Sequence, residues 1–508
     1  MTLSAADGAV PDAHPSGPAP TAPPSGAASG GCPVAGLTPD ALRLLFGPEA
    51  ETDPMGLYEK LRAEHGPVAP VLVADGLPAW LVLGHRENLD VARTPSRFSR
   101  DSRRWHAFQE GLLGPEHPLT PIAAWQPLCN FADGAEHKRL RSAVTDSLAR
   151  FDRRGVRRHV TRFADQLIDA FGDGGTAELV GQFAEPLPML VLTQLLGMPD
   201  EFGPRIVTAA RDMIQGTETA VASYQYVAAA LEQLVDRKRQ TPGPDFASWL
   251  IAHPAGLDTD ELVQHLRLVL IAAFETTANL ITNTLRLTLT DQRFRASLTG
   301  GQMTLPDALE QVLWDEPPFT TILGRWATGP TELGGQQIAQ GDMLLLGLAA
   351  GNMDPAVRPD PTTPVHGNRS HLAFGGGPHE CPGQDMARAI ADTGIDTLMS
   401  RLPDLQLAVP EAELRWRSSL MSRHLTALPV EFSLPSMVRS TRTPEPAPAW
   451  GVGQGDAAPT VTPDLGGGAG QVHQASAPRP GVDAAPTGEN PARRPGRLRA
   501  LLIRLLSR

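Results

Sequence analysis

Residues 374–383 read Phe374-Gly375-Gly376-Gly377-Pro378-His379-Glu380-Cys381-Pro382-Gly383, and this stretch decides how the rest of the chain is read. Its glycines open backbone angles closed to other residues and let the main chain come close to a flat ligand. Pro382 suits the first position of a helix, where no amide hydrogen is required, so a helix is expected over 382–401. A sulfur at a helix N-terminus lies among unpaired amide donors, which favour thiolate over thiol. The bland alternative is a Gly-rich turn holding a buried, inert cysteine. The whole pattern F-x-x-G-x-x-x-C-x-G, from Phe374 to Gly383, weighs against it.

A thiolate held in this way suits the single axial position of a haem iron. The other cysteines, Cys32 and Cys129, have no such surroundings, and Cys129 reads as an ordinary core or loop residue. Three isolated cysteines form no disulfide framework and lack the paired spacing of a zinc site.

Moving outward, the chain of 508 residues is 41% hydrophobic and 20% charged, a composition that permits a packed core. Pro and Gly, 49 of each, concentrate toward the two ends. This divides the chain into a disordered tail (1–38), one folded body (39–435), a Pro/Gly-rich linker (436–492) and a basic segment (493–508). The net charge of −12 argues against a general nucleic-acid binder. No membrane-spanning run and no secretory pattern stands out, so a cytoplasmic location is expected. Residues 493–508 carry six arginines and no acid. They read either as a solvated tail or as an amphipathic helix for an anionic membrane surface or an acidic partner.

Apolar spacing of three and four predicts helices over 55–65, 158–171, 187–196, 205–214, 220–239 and 305–314. Strands are expected over 70–73 and 79–83 around an Asp75-Gly76 turn, and over 425–432. The longest apolar segment, 257–289, has Asp258 as N-cap with Glu261 completing a capping box, and should cross the core. The fold class is mainly α with minor β.

The cysteine loop resembles the haem-binding loop of cytochromes P-450, and the likeness extends over residues 39–435. The resemblance implies the fold of that family: a long central helix over haem b (iron protoporphyrin IX), with small sheets to one side. It makes Cys381 the proximal iron ligand, places Phe374 beside it with Gly375, Gly377 and Gly383 shaping the loop, and has His379 bond a haem propionate. His137 and Arg141, four apart on a helix opening near Asp133, match the family's H-x-x-x-R segment and would clamp a propionate. Arg325, beyond the Glu316-Pro317-Pro318 turn, matches another propionate arginine. Ala272-Ala273-Phe274-Glu275-Thr276-Thr277 resembles the oxygen-activation segment, and gives proton delivery to Glu275 and Thr276. A mid-helix Thr can instead bond back to its own helix.

The resemblance is to a bacterial soluble subgroup with EQ-x-LW in place of the usual E-x-x-R. Alignment on the Pro-Pro pair puts Gln311 and Trp314 at the Glu and Arg positions, with His366 near the place of the third partner, as a coordinated substitution of a buried charge triad. Glu310 does not restore the motif, because three residues on stands Leu313.

The activity implied is a monooxygenase acting on a small lipophilic metabolite, with electrons from an external ferredoxin and its reductase. Lys138, Arg139, Arg141 and Arg388 would offer that partner a basic patch. A haem-binding sensor or scaffold with little turnover is the rival, motivated by the altered triad, by Ala273 where the family usually has Gly, and by the two tails; retention of Glu275 and Thr276 argues against it. Peroxide-driven chemistry ranks last, because it predicts loss of the acid–Thr pair. Substrate loops are expected over 102–126 and 196–225, with Trp105, Phe108, Trp125 and Tyr224 as pocket candidates.

Overall fold

The computed structural model describes residues 42–433 except 46, 74–75, 115–116, 118, 200–201, 216–218 and 366. The two tails, the basic segment 493–508, Cys32 and His366 lie outside the described residues.

Helix α1 (Pro54–His65) starts on Asp53, whose carboxylate accepts from the Gly56 amide at 2.9 Å. Helices α2 (His85–Arg93), α3 (Gly134–Leu148), α4 (Arg153–Phe171), α5 (Pro186–Leu196), α6 (Gly203–Gln215) and α7 (Ala220–Gln240) follow. Then come α8 (Thr259–Thr290), α9 (Leu305–Asp315) and α10 (Gln384–Arg401). All the expected helices form; the expected loop 102–126 contains short helical turns, whereas 196–225 is mostly taken up by α6 and the start of α7.

α8 organises the body. Its capping box is present in both directions: the Glu261 amide donates to Asp258 at 2.8 Å, and the Asp258 amide donates to Glu261 at 3.0 Å. Its first half buries Leu262, Leu266, Leu270 and Phe274 in a core shared with α5, α6 and α7. Its second half buries Leu280, Ile281 and Leu285 in a core shared with α4, α9 and α10. Each such side chain contributes about 1.5–3 kcal/mol on leaving water. α4 and α10 pack closely through Val160, Ala164, Ile395 and Leu398, and are flanked by Arg157–Asp392 (2.7 Å) and Arg401–Asp165 (2.8 Å) ion pairs.

A six-stranded sheet runs in the order Arg43–Leu44, Val68–Leu72, Pro78–Val82, Met343–Gly347, Thr321–Ala327, Phe98–Ser99. The second and third strands are the expected hairpin. Three smaller sheets complete the described β structure.

Two local expectations are corrected. The last helix begins at Gln384, not Pro382: Gly383 takes φ −98° and ψ 9°, and its carbonyl accepts from Ala387. Cys381 therefore precedes the helix by a turn. The expected strand 425–432 is two strands in two sheets. Arg423–Leu425 pairs with Trp416–Ser418, whereas Pro429–Glu431 pairs with Thr176–Glu178 and Gln406–Leu407. Pro429 opens the second strand, a position where its missing amide hydrogen is tolerated.

Candidate active site

The loop holding Cys381 is tied at both ends. The Cys381 amide donates to the Phe374 carbonyl at 2.9 Å, and the Gly375 amide donates to Leu372 at 2.7 Å. Gly377 has φ +67°, and a Cβ there would stand 2.4 Å from the Ala92 carbonyl oxygen of α2. Only glycine fits that approach, so the loop is pressed against α2 backbone. Gly375 is also left-handed, at φ +71°, but faces open space. Burial pushes the Cys381 thiol up, while the Gly383 amide, Arg141 and Arg388 pull it down. Burial is the larger effect, so the thiol is raised overall, and the helix terminus expected at Cys381 lies three residues further on.

Phe374 carries the Arg388 guanidinium over its ring at 4.5 Å. Arg388 in turn donates to Glu310 through Nε (2.6 Å) and Nη2 (3.1 Å). His371 Nε2 reaches the same carboxylate at 2.9 Å, and Arg369 lies 3.4 Å away. Glu310 is 2% exposed. Burial raises its pKa, but the His371 and Arg388 contacts outweigh this and hold it below the usual carboxylate range. Sequence reasoning missed this residue because it sought an arginine three positions along the same helix. Glu310 shares its face of α9 with buried Leu313 and Trp314, and that periodicity is the signal that could have found it.

Gln311 and Trp314 instead hold the meander before the cysteine loop. Gln311 accepts from the Val365 amide at 3.0 Å and donates to Asp315 at 2.7 Å. Trp314 donates to the Asn368 carbonyl at 2.8 Å. The histidine found in the charge cluster is His371.

On the other side of the loop, the rings of His137 and His379 meet at a tilt of 43°, with centroids 4.0 Å apart. Among the described residues neither Nε2 atom has a hydrogen-bond partner, although both are buried. Burial lowers the His137 pKa and depresses that of His379 to about 3, so both rings are neutral. Arg325 is 4% exposed, and its one hydrogen bond among the described residues goes to the Gly324 carbonyl at 3.2 Å. A bulge at Gly324, φ +99°, sets its direction, and a Cβ there would meet Arg100 and Trp326 at 2.8 Å. Burial holds the Arg325 pKa well below the ordinary arginine value. Arg100 is buried nearby and donates to Asn130 and Leu323 carbonyls, each at 2.7 Å. Among the described residues, Asp133 is the one carboxylate acting on both guanidinium groups. Its Oδ2 is taken by Ser99 and the Arg100 amide, and its Oδ1 lies 3.6 Å from His379, too far for a hydrogen bond. Two buried cations thus share one anion, and unspent donors surround them. A cleft of about 490 Å³ opens here, lined by Asp133, His137, Arg141, Pro378 and His379. These residues fit the propionates of a haem.

Arg141 is divided between roles. It donates to the Glu380 carbonyl and, at 3.1 Å, to Thr145, while also lining the cleft. The basic patch is smaller than expected: Arg139 pairs with Glu136 and Glu261, and Arg388 is spent on Glu310. Lys138 remains exposed.

The middle of α8 is open along one side. Ala272 is exposed although Leu270 and Phe274, two residues to either side, are buried, and Leu268, Ile271, Glu275 and Thr276 are half-buried. A core-crossing helix open along one stripe borders a hollow. Glu275 accepts from the Ser422 hydroxyl at 2.7 Å, and burial pushes its carboxyl up. Thr276 donates back to the Ala272 carbonyl at 2.8 Å, leaving its lone pairs available. Cys129 is core, as expected, its amide donating to His265 at 3.1 Å. Trp105 is fully buried against Phe108 and Trp326, and so belongs to the core, not to a pocket. Trp125 is exposed under Arg103, and Tyr224 bonds Arg267.

No family model matches the chain, but curated proteins and solved structures do. The cytochrome P450 monooxygenase PikC of Streptomyces venezuelae is 32% identical over 401 residues, covering 76% of this chain and 93% of PikC. The 2-hydroxy-5-methyl-1-naphthoate 7-hydroxylase of Streptomyces carzinostaticus is 31% identical, covering 74% and 95%. Among solved structures, the myxobacterial cytochrome P450 CYP267B1 in complex with myristic acid superposes with a TM-score of 0.68 at 29% identity, covering 77% and 98%. The chain belongs to the cytochrome P450 family. It is a monooxygenase of that family, an oxidoreductase, and membership implies a haem cofactor.

Proposed function

We propose that Cys381 ligates the iron of haem b and that the chain oxidises a small lipophilic metabolite, with electrons from a ferredoxin and its reductase. When bound, the haem activates dioxygen and supplies one of its atoms to a C–H bond of the substrate. The chain's own residues do the rest. His137, His379 and Arg325, with Arg141 at the rim, hold the propionates. Phe374, braced by Arg388 and Glu310, keeps the sulfur in place. Glu275 holds a proton at its carboxyl, and Thr276 passes it into the hollow. Exposed Lys138 meets the electron donor. The reading places the chain in the bacterial cytoplasm, with 493–508 as a membrane-surface contact that liposome binding tests.

The observation that carries the reading is the surplus of buried donors and positive charge beside the cysteine loop. Removing these donors should release haem: Arg325→Met and His137→Phe proteins are expected to lose pigment on gel filtration, whereas the wild type keeps it. Equal retention in all three would contradict the proposal.

The scaffold reading loses its strongest support, because Glu310 with Arg388 and His371 supplies a buried charge cluster beside the cysteine loop, and the acid–Thr pair of Glu275 and Thr276 favours turnover.

A further inference from the structure

The hydroxyl on Glu275 comes from a hairpin tip remote in sequence. Trp416–Ser418 and Arg423–Leu425 pair in antiparallel register, and residues 419–422 close them. The Ser419 amide donates to the Ser422 carbonyl at 2.8 Å, which brings the two serine side chains together at the ends of one tight turn. Their hydroxyls lie 3.0 Å apart. The turn is docked, not loose: the Thr320 amide donates to the Met421 carbonyl at 2.8 Å, and Thr321 donates to Leu420.

The direction of these bonds follows from their partners. Ser419 Oγ accepts from the Ser422 amide at 3.0 Å and, weakly, from the Met421 amide at 3.3 Å, and its own hydrogen has two acceptors on Ser422, the hydroxyl at 3.0 Å and the carbonyl at 3.3 Å, of which the hydroxyl is nearer. Ser422 Oγ donates to Glu275 Oε1 at 2.7 Å. Ser422 is 1% exposed and Ser419 is exposed. With Ser419 donating to the nearer acceptor, the two hydroxyls form a chain from the protein surface to the carboxylate of Glu275, the residue before Thr276.

We propose that Ser419 and Ser422 form a proton relay that reloads Glu275 from solvent; this rests on the reading of Glu275 as the proton donor to the hollow. Once Glu275 has given up its proton, Ser422 passes its hydroxyl proton to the Oε1 carboxylate oxygen. Ser419 passes its proton to Ser422, and solvent water protonates Ser419. The two hydroxyls then rotate back. One proton moves from solvent to Glu275, and no electron is transferred. Ser422 and Ser419 act through Glu275 and are positioning residues. Burial raises the Glu275 pKa, with the Ser422 contact opposing it, which agrees with a group that holds its proton between transfers.

The test reads the carboxyl itself, not turnover. In the haem-loaded protein, the infrared C=O band that Glu275→Gln abolishes belongs to protonated Glu275. Its rate of deuterium uptake after rapid mixing into D2O reports the proton path. Ser422→Ala is expected to shift the band, and both Ser422→Ala and Ser419→Ala should slow the uptake by ~10-fold or more. Ser422→Thr, which keeps the hydroxyl, should restore the rate. Ser419 is exposed, so its variant remains informative if Ser422→Ala fails to fold. Unchanged uptake in Ser419→Ala overturns the relay, as does failure of Ser422→Thr to recover. The carbonyl-iron band of the reduced, carbon monoxide-treated samples tests the haem-thiolate reading separately. A normal band with unchanged uptake sinks the relay alone, and an absent band sinks the reading beneath it.

Discussion

Arg388, seven residues beyond Cys381, donates to Glu310 of another helix at 2.6 Å while lying over the ring of Phe374, the residue whose carbonyl anchors the Cys381 amide. A buried charge cluster is thus present, its acid from α9 and its arginine from α10. The consequence is mechanical: the cluster bears directly on the cysteine loop.

Breaking this pair leaves one charge buried alone, which costs about 3–5 kcal/mol. Glu310→Gln and Arg388→Met should each lower the denaturant midpoint accordingly, and the double variant should lose less than the sum. The Glu310 carboxyl is depressed in the folded state, so its contribution is present above its unfolded pKa and is lost as pH falls through the folded one. The gap between wild type and Glu310→Gln should therefore narrow on acidification. A gap constant with pH would contradict the ion-pair account.

Arg325 is held at a cost to the empty fold. Taking a charge out of water costs several kcal/mol, and Arg325 has only a share of Asp133 to offset it. Arg325→Met should thus raise the melting temperature of the haem-free protein while weakening haem retention. A variant less stable in both forms would show that Arg325 serves packing alone.

Much of this was legible in the sequence, and the misses have physical causes. The cysteine loop and the apolar run with its Asp258–Glu261 box are local patterns, and local patterns survive into structure. The Glu310–Arg388 pair spans 78 positions, and no short-range spacing encodes it. A motif that expects both charges on one helix steered attention to Gln311 and Trp314, which hold the meander instead. The helix start was misplaced because a proline at 382 permits a helix without requiring one, and Gly383 takes a turn conformation.

The two left-handed glycines of the loop should behave differently. Gly375→Ala meets open space and suffers only the left-handed penalty of ~1–2 kcal/mol. Gly377→Ala adds a clash with the α2 backbone at 2.4 Å, so the loop must move. Haem retention should drop sharply in the second and mildly in the first, and equal effects would contradict the packing described.

Asp258→Ala removes one half of the α8 capping box and should destabilise the protein by about 0.5–2 kcal/mol, with spectra of the folded state unchanged. A spectral change would mean that the start of α8 reaches the haem site.

The central claim is that one sulfur, Cys381, holds the iron. Its most direct test is the spectrum of the reduced protein under carbon monoxide, for wild type and for Cys381→His. The account predicts the red-shifted thiolate band in the first and its replacement by an imidazole-type band, or loss of haem, in the second. The same thiolate band in both would contradict it.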